Sequence, residues 1–304
     1  MILVTGATGY IGSRLVKKLL DDSRNVRALV IKNDPLLKTL KNLNCEIAEG
    51  DITDKDSLVS CMKDIKTVFH LAAVLVSNDK GIFHKINYEG AKNVVDTAVA
   101  AGVEHFAYLS AVAAGYRVRT TYGESKLKSE TLMKKAGNTK FTIVRPTLLY
   151  GAAGSQELKL YVESLRKFPI IVPVIGGGRA VKRPVALDDI VKGLALLVNN
   201  HATYGKTYNF GGGTEISMWN YTKLICDTFG IKKPLVPIPA FLSYAIAAIF
   251  FKVSKNPFIT RDRVLGVTMD ANFDYQQARE DLGYDPVSVY EGYEKAFSRQ
   301  EEML

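Results

Sequence analysis

The chain is 304 residues long, carries a net charge of +9, and is 47% hydrophobic and 23% charged. That length suits one large domain or two intimate ones, and the composition is ordinary for a soluble globular protein. The lysines are scattered, as at Lys17-Lys18, Lys126-Lys128 and Lys134-Lys135, with no basic run interleaved with aromatics. That excludes nucleic-acid binding from the expectations and favours anionic cofactors and acidic or phosphorylated substrates.

Ile2-Leu3-Val4 predicts a first strand over 1–4. A strand beginning at Met1 leaves no room for a signal or transit peptide. The turn Thr5-Gly6-Ala7-Thr8-Gly9-Tyr10-Ile11-Gly12 follows, and Ile11, Leu15, Leu19 and Leu20 then recur at helical spacing over 10–21. Further strands are predicted at 25–31, 45–48, 67–70, 105–110 and 140–145, with helical patterns at 35–42, 55–63, 82–101 and 119–136. This alternation implies an α/β fold, a Rossmann doubly wound parallel sheet with its ligand crevice at the carboxyl ends of the strands. After Gly151 the rhythm breaks at Pro169, Pro173, Gly176-Gly177-Gly178 and Pro184, before a helix near 187–199 and a strand near 206–210. The expected division is a Rossmann domain over 1–152, rejoined at about 184–211, and a smaller, mostly helical C-terminal substrate lobe over 153–183 and 212–304. Within that lobe 239–251 is apolar on nearly every face, yet shorter than the about 20 residues that cross a bilayer. A buried helix is its first reading. An apolar substrate pocket, or a peripheral membrane contact through 239–255 with Lys252 and Lys255 at the headgroups, is its second. Cys45, Cys61 and Cys226 show no metal-ligand spacing, which predicts reduced thiols, no metal site and a cytoplasmic setting.

Two constellations carry chemistry. In the glycine turn, Gly6 permits the tight bend, Gly9 the close approach of a pyrophosphate, and Gly12 the packing of the helix on the sheet. Thr8, Tyr10 and Ile11 share that cradle, and Leu71-Ala72-Ala73 after the fourth strand is small enough for a dinucleotide to lie across it. Asp51-Ile52 follows the third strand, where a carboxylate can accept an adenine amino group or cap the next helix. In the second constellation, Tyr122 and Lys126 stand four apart on one helix face. A free tyrosine titrates at about 10, and a nearby ammonium favours its phenolate, so Tyr122 can exchange a proton while a hydride moves. At the tip of the second strand an acid selects NAD and a base NADP. Ile31-Lys32-Asn33 offers no acid there, so NADP is preferred over NAD, with Lys32 meeting the extra phosphate.

The Gly-x-x-Gly-x-x-Gly turn and Tyr122-Gly123-Glu124-Ser125-Lys126, continuing to Glu130, resemble the extended short-chain dehydrogenase/reductases, the NAD-dependent epimerases, dehydratases and their relatives. Arg145-Pro146-Thr147, Arg183-Pro184-Val185 and Leu282-Gly283-Tyr284-Asp285-Pro286 resemble the same family, so the likeness spans nearly the whole chain. It implies an NAD(P)-dependent oxidoreductase, epimerase or dehydratase acting on a sugar nucleotide or a more apolar hydroxy or keto compound, with Tyr122 as acid/base and Lys126 on the nicotinamide ribose. It implies that Asp51 contacts adenine, that Asn87 lies near the cofactor, that Pro146 and Thr147 pass the nicotinamide, and that the assembly is a homodimer. Asp188 or Asp189 would cap the helix near 187–199. Two departures stand out. The family's catalytic serine falls on Ala111, leaving Ser110, Thr120 or Thr121 to supply a hydroxyl, and its diphosphate-binding arginine falls on Lys182. The first departure resembles relatives of the NAD(P)-binding accessory subunit of respiratory complex I. It keeps open a non-catalytic NAD(P)-binding structural, assembly or sensor protein.

Overall fold

The computed structural model describes residues 1–77, 79–134, 137–152, 156–245 and 260–298. The chain forms two compact units, Met1–Pro146 with Asp188–Phe210 and Tyr275–Tyr284, and Thr147–Leu187 with Gly211–Asp274 and Asp285–Leu304.

The first unit alternates β1 (Ile2–Thr5), α1 (Tyr10–Asp21), β2 (Val26–Val30), β3 (Glu46–Glu49), α2 (Lys55–Val59), β4 (Thr67–His70), α3 (Ala91–Ala100), β5 (His105–Leu109), α4 (Thr121–Met133) and β6 (Lys140–Pro146). These strands and Thr207–Phe210 form one seven-stranded sheet, ordered Thr207–Phe210, β6, β5, β4, β1, β2, β3. Every pairing in it is parallel. The inner strands β1, β2, β4 and β5 are buried along their whole length, as helices on both faces require, whereas the edge strand β3 is largely exposed. On one face Leu3, Val68, Phe106, Tyr108 and Ile143 pack with Val94, Val95 and Ala98 of α3 and Met133 of α4. The chain winds outward from β1 to β3 and then restarts at β4 on the other side of β1. That switch point opens a crevice at the carboxyl ends of β1 and β4.

Two predicted helices differ. The pattern at 35–42 yields only a 3-10 turn at Leu37–Leu40, because Leu36 and Leu37 stay exposed and Leu40 alone of the segment is buried. The helix expected from 82 to 101 begins as a π-helix at Phe83–Gly90 before α3. Gly90 lies against Ile52 there, and a Cβ would stand 2.8 Å from its Cδ1.

The second unit holds three two-stranded pairings: Leu149–Tyr150 with Val185–Ala186, Val181–Lys182 with Ile216–Ser217, and Val172–Ile175 with Leu235–Ile238. Its core joins Tyr150, Leu165, Val172, Tyr221, Ile225 and Tyr293. Residues 275–284, expected in this lobe, belong to the first unit. There the Asp281 carboxylate accepts from Lys206 Nζ at 2.7 Å and Tyr208 Oη at 2.8 Å. Asp188 and Asp189 lie in the first turn of the helix Leu187–Ala195. The apolar run opens as a helix over 240–245 with Phe241 and Leu242 exposed; 246–255 lies outside the described residues. Among the described residues no helix is long and apolar enough to cross a membrane.

Candidate dinucleotide and catalytic site

The glycine turn joins β1 to α1 at the switch point. Gly6 has φ +66°, and a Cβ there would stand 2.8 Å from the Ala72 nitrogen. A Cβ on Gly12 would stand 2.0 Å from the Gly6 carbonyl oxygen, so backbone packs on backbone at both positions. Gly9 caps α1 without any side-chain hydrogen bond, and the first turn of α1 carries no carboxylate. A helix start left unneutralised in this way is suited to an anion, and here the residues fit a dinucleotide pyrophosphate. Thr5 ties the turn to β4. Its Oγ1 accepts from Leu71 N and Ala72 N, each at 3.2 Å, and lies 2.7 Å from His70 Nδ1. Leu71, Ala72 and Ala73 are half-buried beside it.

Around the turn, Thr8 Oγ1 donates to Asp34 Oδ2 at 2.7 Å. The Arg14 guanidinium lies over the Tyr10 ring, 4.7 Å from its centroid, and Ile11 is half-buried. Lys32 is exposed. Asp51 is exposed too, and its Oδ1 accepts from the Thr53 amide at 2.8 Å and hydroxyl at 2.9 Å. The cap of α2 is Asp54, which accepts from Asp56 N, so Asp51 is not the helix cap. Ile52 is buried and its carbonyl accepts from Asn93 Nδ2.

Asn87 is buried in the π-helix. Its Oδ1 accepts from Val74 N at 2.8 Å, while its Nδ2 donates to Val74 O and Ser125 Oγ, each at 3.0 Å. Both amide protons are therefore used, and the side chain stitches the loop after β4 to α4. A π-turn widens the helix where such a reach is needed.

Thr120 caps α4, its Oγ1 accepting from Gly123 N at 3.1 Å. Gly123 lets α4 press on Ala113, whose carbonyl oxygen would be 2.5 Å from a Cβ. Tyr122 is half-buried, with Phe83 edge-on to its ring. One turn later Lys126 is 2% exposed, its Nζ donating to Leu109 O at 2.6 Å and standing 4.5 Å from the Tyr108 ring centroid. Burial pulls its ammonium down to about 7, and the Glu130 carboxylate works in the opposite direction. His70, stacked on Tyr108, is held neutral by burial and then by Lys126, at about 3.

Ser110 is buried. Its Oγ donates to Glu130 Oε1 at 2.5 Å, and Glu130 also grips Arg145 through Nε at 2.8 Å and a terminal nitrogen at 2.5 Å. This network ties the ends of β5 and β6 to α4. Glu130→Ala is expected to cost about 3 kcal/mol in urea unfolding, since it strands a half-buried guanidinium and a buried hydroxyl. An unchanged urea midpoint would mean that water replaces the carboxylate.

Pro146 ends β6 and pairs with Phe210. Thr147 opens the second unit, its hydroxyl donating to the Arg183 carbonyl. In the same unit Lys182 is buried, and its Nζ donates to Gly266 O at 2.8 Å and to Met269 O.

A parallel sheet with a glycine turn at its switch point and a Tyr-x-x-x-Lys helix whose lysine reaches the end of β5 defines a dinucleotide-binding Rossmann protein of the short-chain dehydrogenase kind. The chain belongs to the NAD dependent epimerase/dehydratase family, whose profile matches residues 2–211. It is thus an NAD-dependent enzyme of the oxidoreductase and epimerase class. It is 30% identical to a ceramide reductase of Caulobacter vibrioides over 58% of this chain and 54% of that one. It is 23% identical to the sterol-4-alpha-carboxylate 3-dehydrogenase, decarboxylating, of Homo sapiens over 93% and 83%. Among solved structures it resembles gox2253, with TM-score 0.82 and 25% identity over 100% and 99% of the two chains. It also shares the fold of the UDP-glucuronic acid 4-epimerase of Bacillus cereus, solved with UDP-glucuronic acid and NAD, with TM-score 0.76 and 19% identity over 98% of each.

Proposed function

We propose that the chain interconverts an alcohol and a carbonyl on an apolar small molecule, with Tyr122 as the acid/base. The observation that carries this is the Lys126 ammonium, 2% exposed and one helical turn beyond Tyr122. A cation is expensive to bury. This one has a single carbonyl and a ring face as partners, which leaves donor capacity for a ribose hydroxyl. The bound nicotinamide ring supplies the hydride donor or acceptor. Tyr122 gives or takes the proton at the substrate oxygen, and Lys126 favours its phenolate. The turn Gly6, Thr8, Gly9, Tyr10, Ile11 and Gly12 holds the pyrophosphate, and Asp51 with Ile52 receives the adenine. Leu71, Ala72, Ala73 and Pro146 floor the rest, while Asn87 acts by holding α4 in place. The second unit is the substrate lobe in this reading.

Lys182 supports the apolar substrate. Two carbonyls occupy its ammonium and burial lowers it to about 8, so it is poorly suited to grip a diphosphate. The ceramide and sterol relatives fit the same choice. Tyr122→Phe should abolish turnover of a hydrophobic alcohol panel while dinucleotide affinity stays within about twofold of wild type, because only the proton donor is lost. Unchanged turnover would remove Tyr122 from the mechanism.

The pH dependence has a definite sign. Lys126 is charged below about 7 and neutral above it. In this reading kcat/KM falls as pH rises through that point, since the neutral amine no longer supports the phenolate. Lys126→Arg, charged at every accessible pH, moves that limb upward if the larger side chain is accommodated. A wild-type profile flat from about pH 6 to 9 would sink the assignment.

A second reading, a dinucleotide-binding protein without catalysis, is favoured by Ala111, which offers no hydroxyl while Ser110 serves Glu130. It predicts a retained cofactor and no hydride transfer with any panel. Ala111→Ser should then create activity; robust wild-type turnover would end this reading.

A further inference from the structure

The buried Lys126 ammonium meets an aromatic face that reads in the sequence as ordinary strand core. Tyr108 sits on β5 between His70 of β4 and Ile143 of β6, and is fully buried. The His70 ring lies against it, 5.7 Å between centroids and 22° between planes. His70 is fixed in turn by Thr5. The Thr5 hydroxyl oxygen accepts from the Leu71 and Ala72 amides, so its own proton goes to His70 Nδ1. That leaves the imidazole neutral with its proton on Nε2. A continuous set of contacts thus runs from the glycine turn through Thr5, His70 and Tyr108 to Lys126.

From this geometry we infer that Tyr108 is a positioning residue for the reaction, its ring face holding the Lys126 ammonium charged and in place for Tyr122 and the nicotinamide ribose. The inference rests on the roles proposed for Tyr122 and Lys126. Lys126 Nζ stands 4.5 Å from the ring centroid and donates to Leu109 O at 2.6 Å. A ring face attracts a cation through its quadrupole, most strongly where water is excluded. It does so without a localised acceptor, so ammonium protons stay available to a ribose hydroxyl and to the phenolate. A carboxylate in the same place would pin the ammonium in an ion pair. The other titratable and charged groups around Lys126 do not fill this role. Glu130, one turn further on α4, is engaged by Ser110 and by Arg145 of β6. His70 of β4 is neutral, and a proton on it would oppose the ammonium. Tyr122, one turn earlier on α4, is the group to be tuned. Burial keeps the Tyr108 phenol protonated, so it offers a ring and not a second negative charge. Lys126 itself titrates at about 7, so a modest change in its surroundings decides its charge at neutral pH.

Direct titration of Lys126 tests this, by NMR of the full chain carrying isotope-labelled lysine, with Lys126→Met to assign the signal. The wild-type ammonium should titrate at about 7. Tyr108→Leu removes the ring and should lower that midpoint by about one pH unit, the falling limb of kcat/KM moving down with it. Tyr108→Phe keeps the ring face and should hold the midpoint within about 0.3 of the wild type. Pentafluorophenylalanine at position 108 keeps the shape of the ring and reverses its quadrupole. The midpoint should then fall at least as far as in Tyr108→Leu. An unchanged midpoint with the fluorinated ring would overturn the inference, even if Tyr108→Leu failed to fold. An equal fall in Tyr108→Phe would overturn it too, since the hydroxyl and not the ring would then be responsible. Absent turnover in a wild type whose Lys126 midpoint follows the ring would be a different failure, that of the Tyr122 reading, with the hold of Tyr108 on Lys126 left standing.

Discussion

Gly12→Ala should abolish dinucleotide binding and destabilise the first unit by about 3 kcal/mol, a larger loss than most single substitutions bring. The new Cβ would stand 2.0 Å from the Gly6 carbonyl oxygen and 2.9 Å from Ala7 Cα. Neither atom belongs to a flexible side chain, so the turn or the helix must move. The turn has little freedom, because Gly6 is pressed against Ala72 and Gly9 N donates to Gly6 O at 3.0 Å. The helix must therefore tilt, carrying its open first turn away from the pyrophosphate position. Binding by NADH titration and stability by urea unfolding should fall together. Gly102→Ala is an instructive comparison: nothing lies within 4 Å of its Cβ, and only its φ of +73° opposes the change. The expected cost there is about 1 kcal/mol with cofactor affinity intact. Normal NADH affinity in Gly12→Ala would show that the turn does not set the position of α1.

The strands were legible because a parallel sheet covered on both faces needs short apolar runs, and Ile2-Leu3-Val4 and Val68-Phe69 are such runs. The placement of Tyr122 and Lys126 one turn apart on one helix was legible because helix period alone fixes it. What a single sequence hides is contact between segments that periodicity does not relate. Leu36 and Leu37 look like one face of a helix, but the loop is held by Thr39 and Asp34 on Thr8, and the leucines are left in solvent. Ser110 looks like a spare hydroxyl until Arg145, on the next strand, brings Glu130 into one network with it. Asp51 looks like a helix cap, yet the local choice fell on Asp54, three residues on. In each case a side-chain hydrogen bond made the decision. These bonds are short-range in space and arbitrary in sequence separation.

Lys126→Met should make the free protein more stable and the enzyme inactive. The folded state lowers the Lys126 ammonium from 10.5 to about 7, chiefly by burial. Between those values the unfolded chain binds a proton that the folded chain does not, so this group makes stability rise with pH. Below about 7 both states are protonated, and the burial penalty is present in full. Removing the ammonium removes the penalty, so the variant should gain on the order of 2 kcal/mol at pH 6, with the gain fading towards pH 10. Loss of the bond to Leu109 O sets part of that gain back. Urea unfolding of both proteins at several pH values checks the slope, and parallel curves would show that burial does not penalise this cation. Turnover should fall at least about a hundredfold, since no ammonium is left to favour the Tyr122 phenolate. A stability gain joined to an activity loss marks a residue kept for chemistry against the preference of the fold. Glu130, also buried and one turn further along α4, should show the reverse: its removal weakens the fold through Arg145 and Ser110 while leaving the Tyr122 hydroxyl in place.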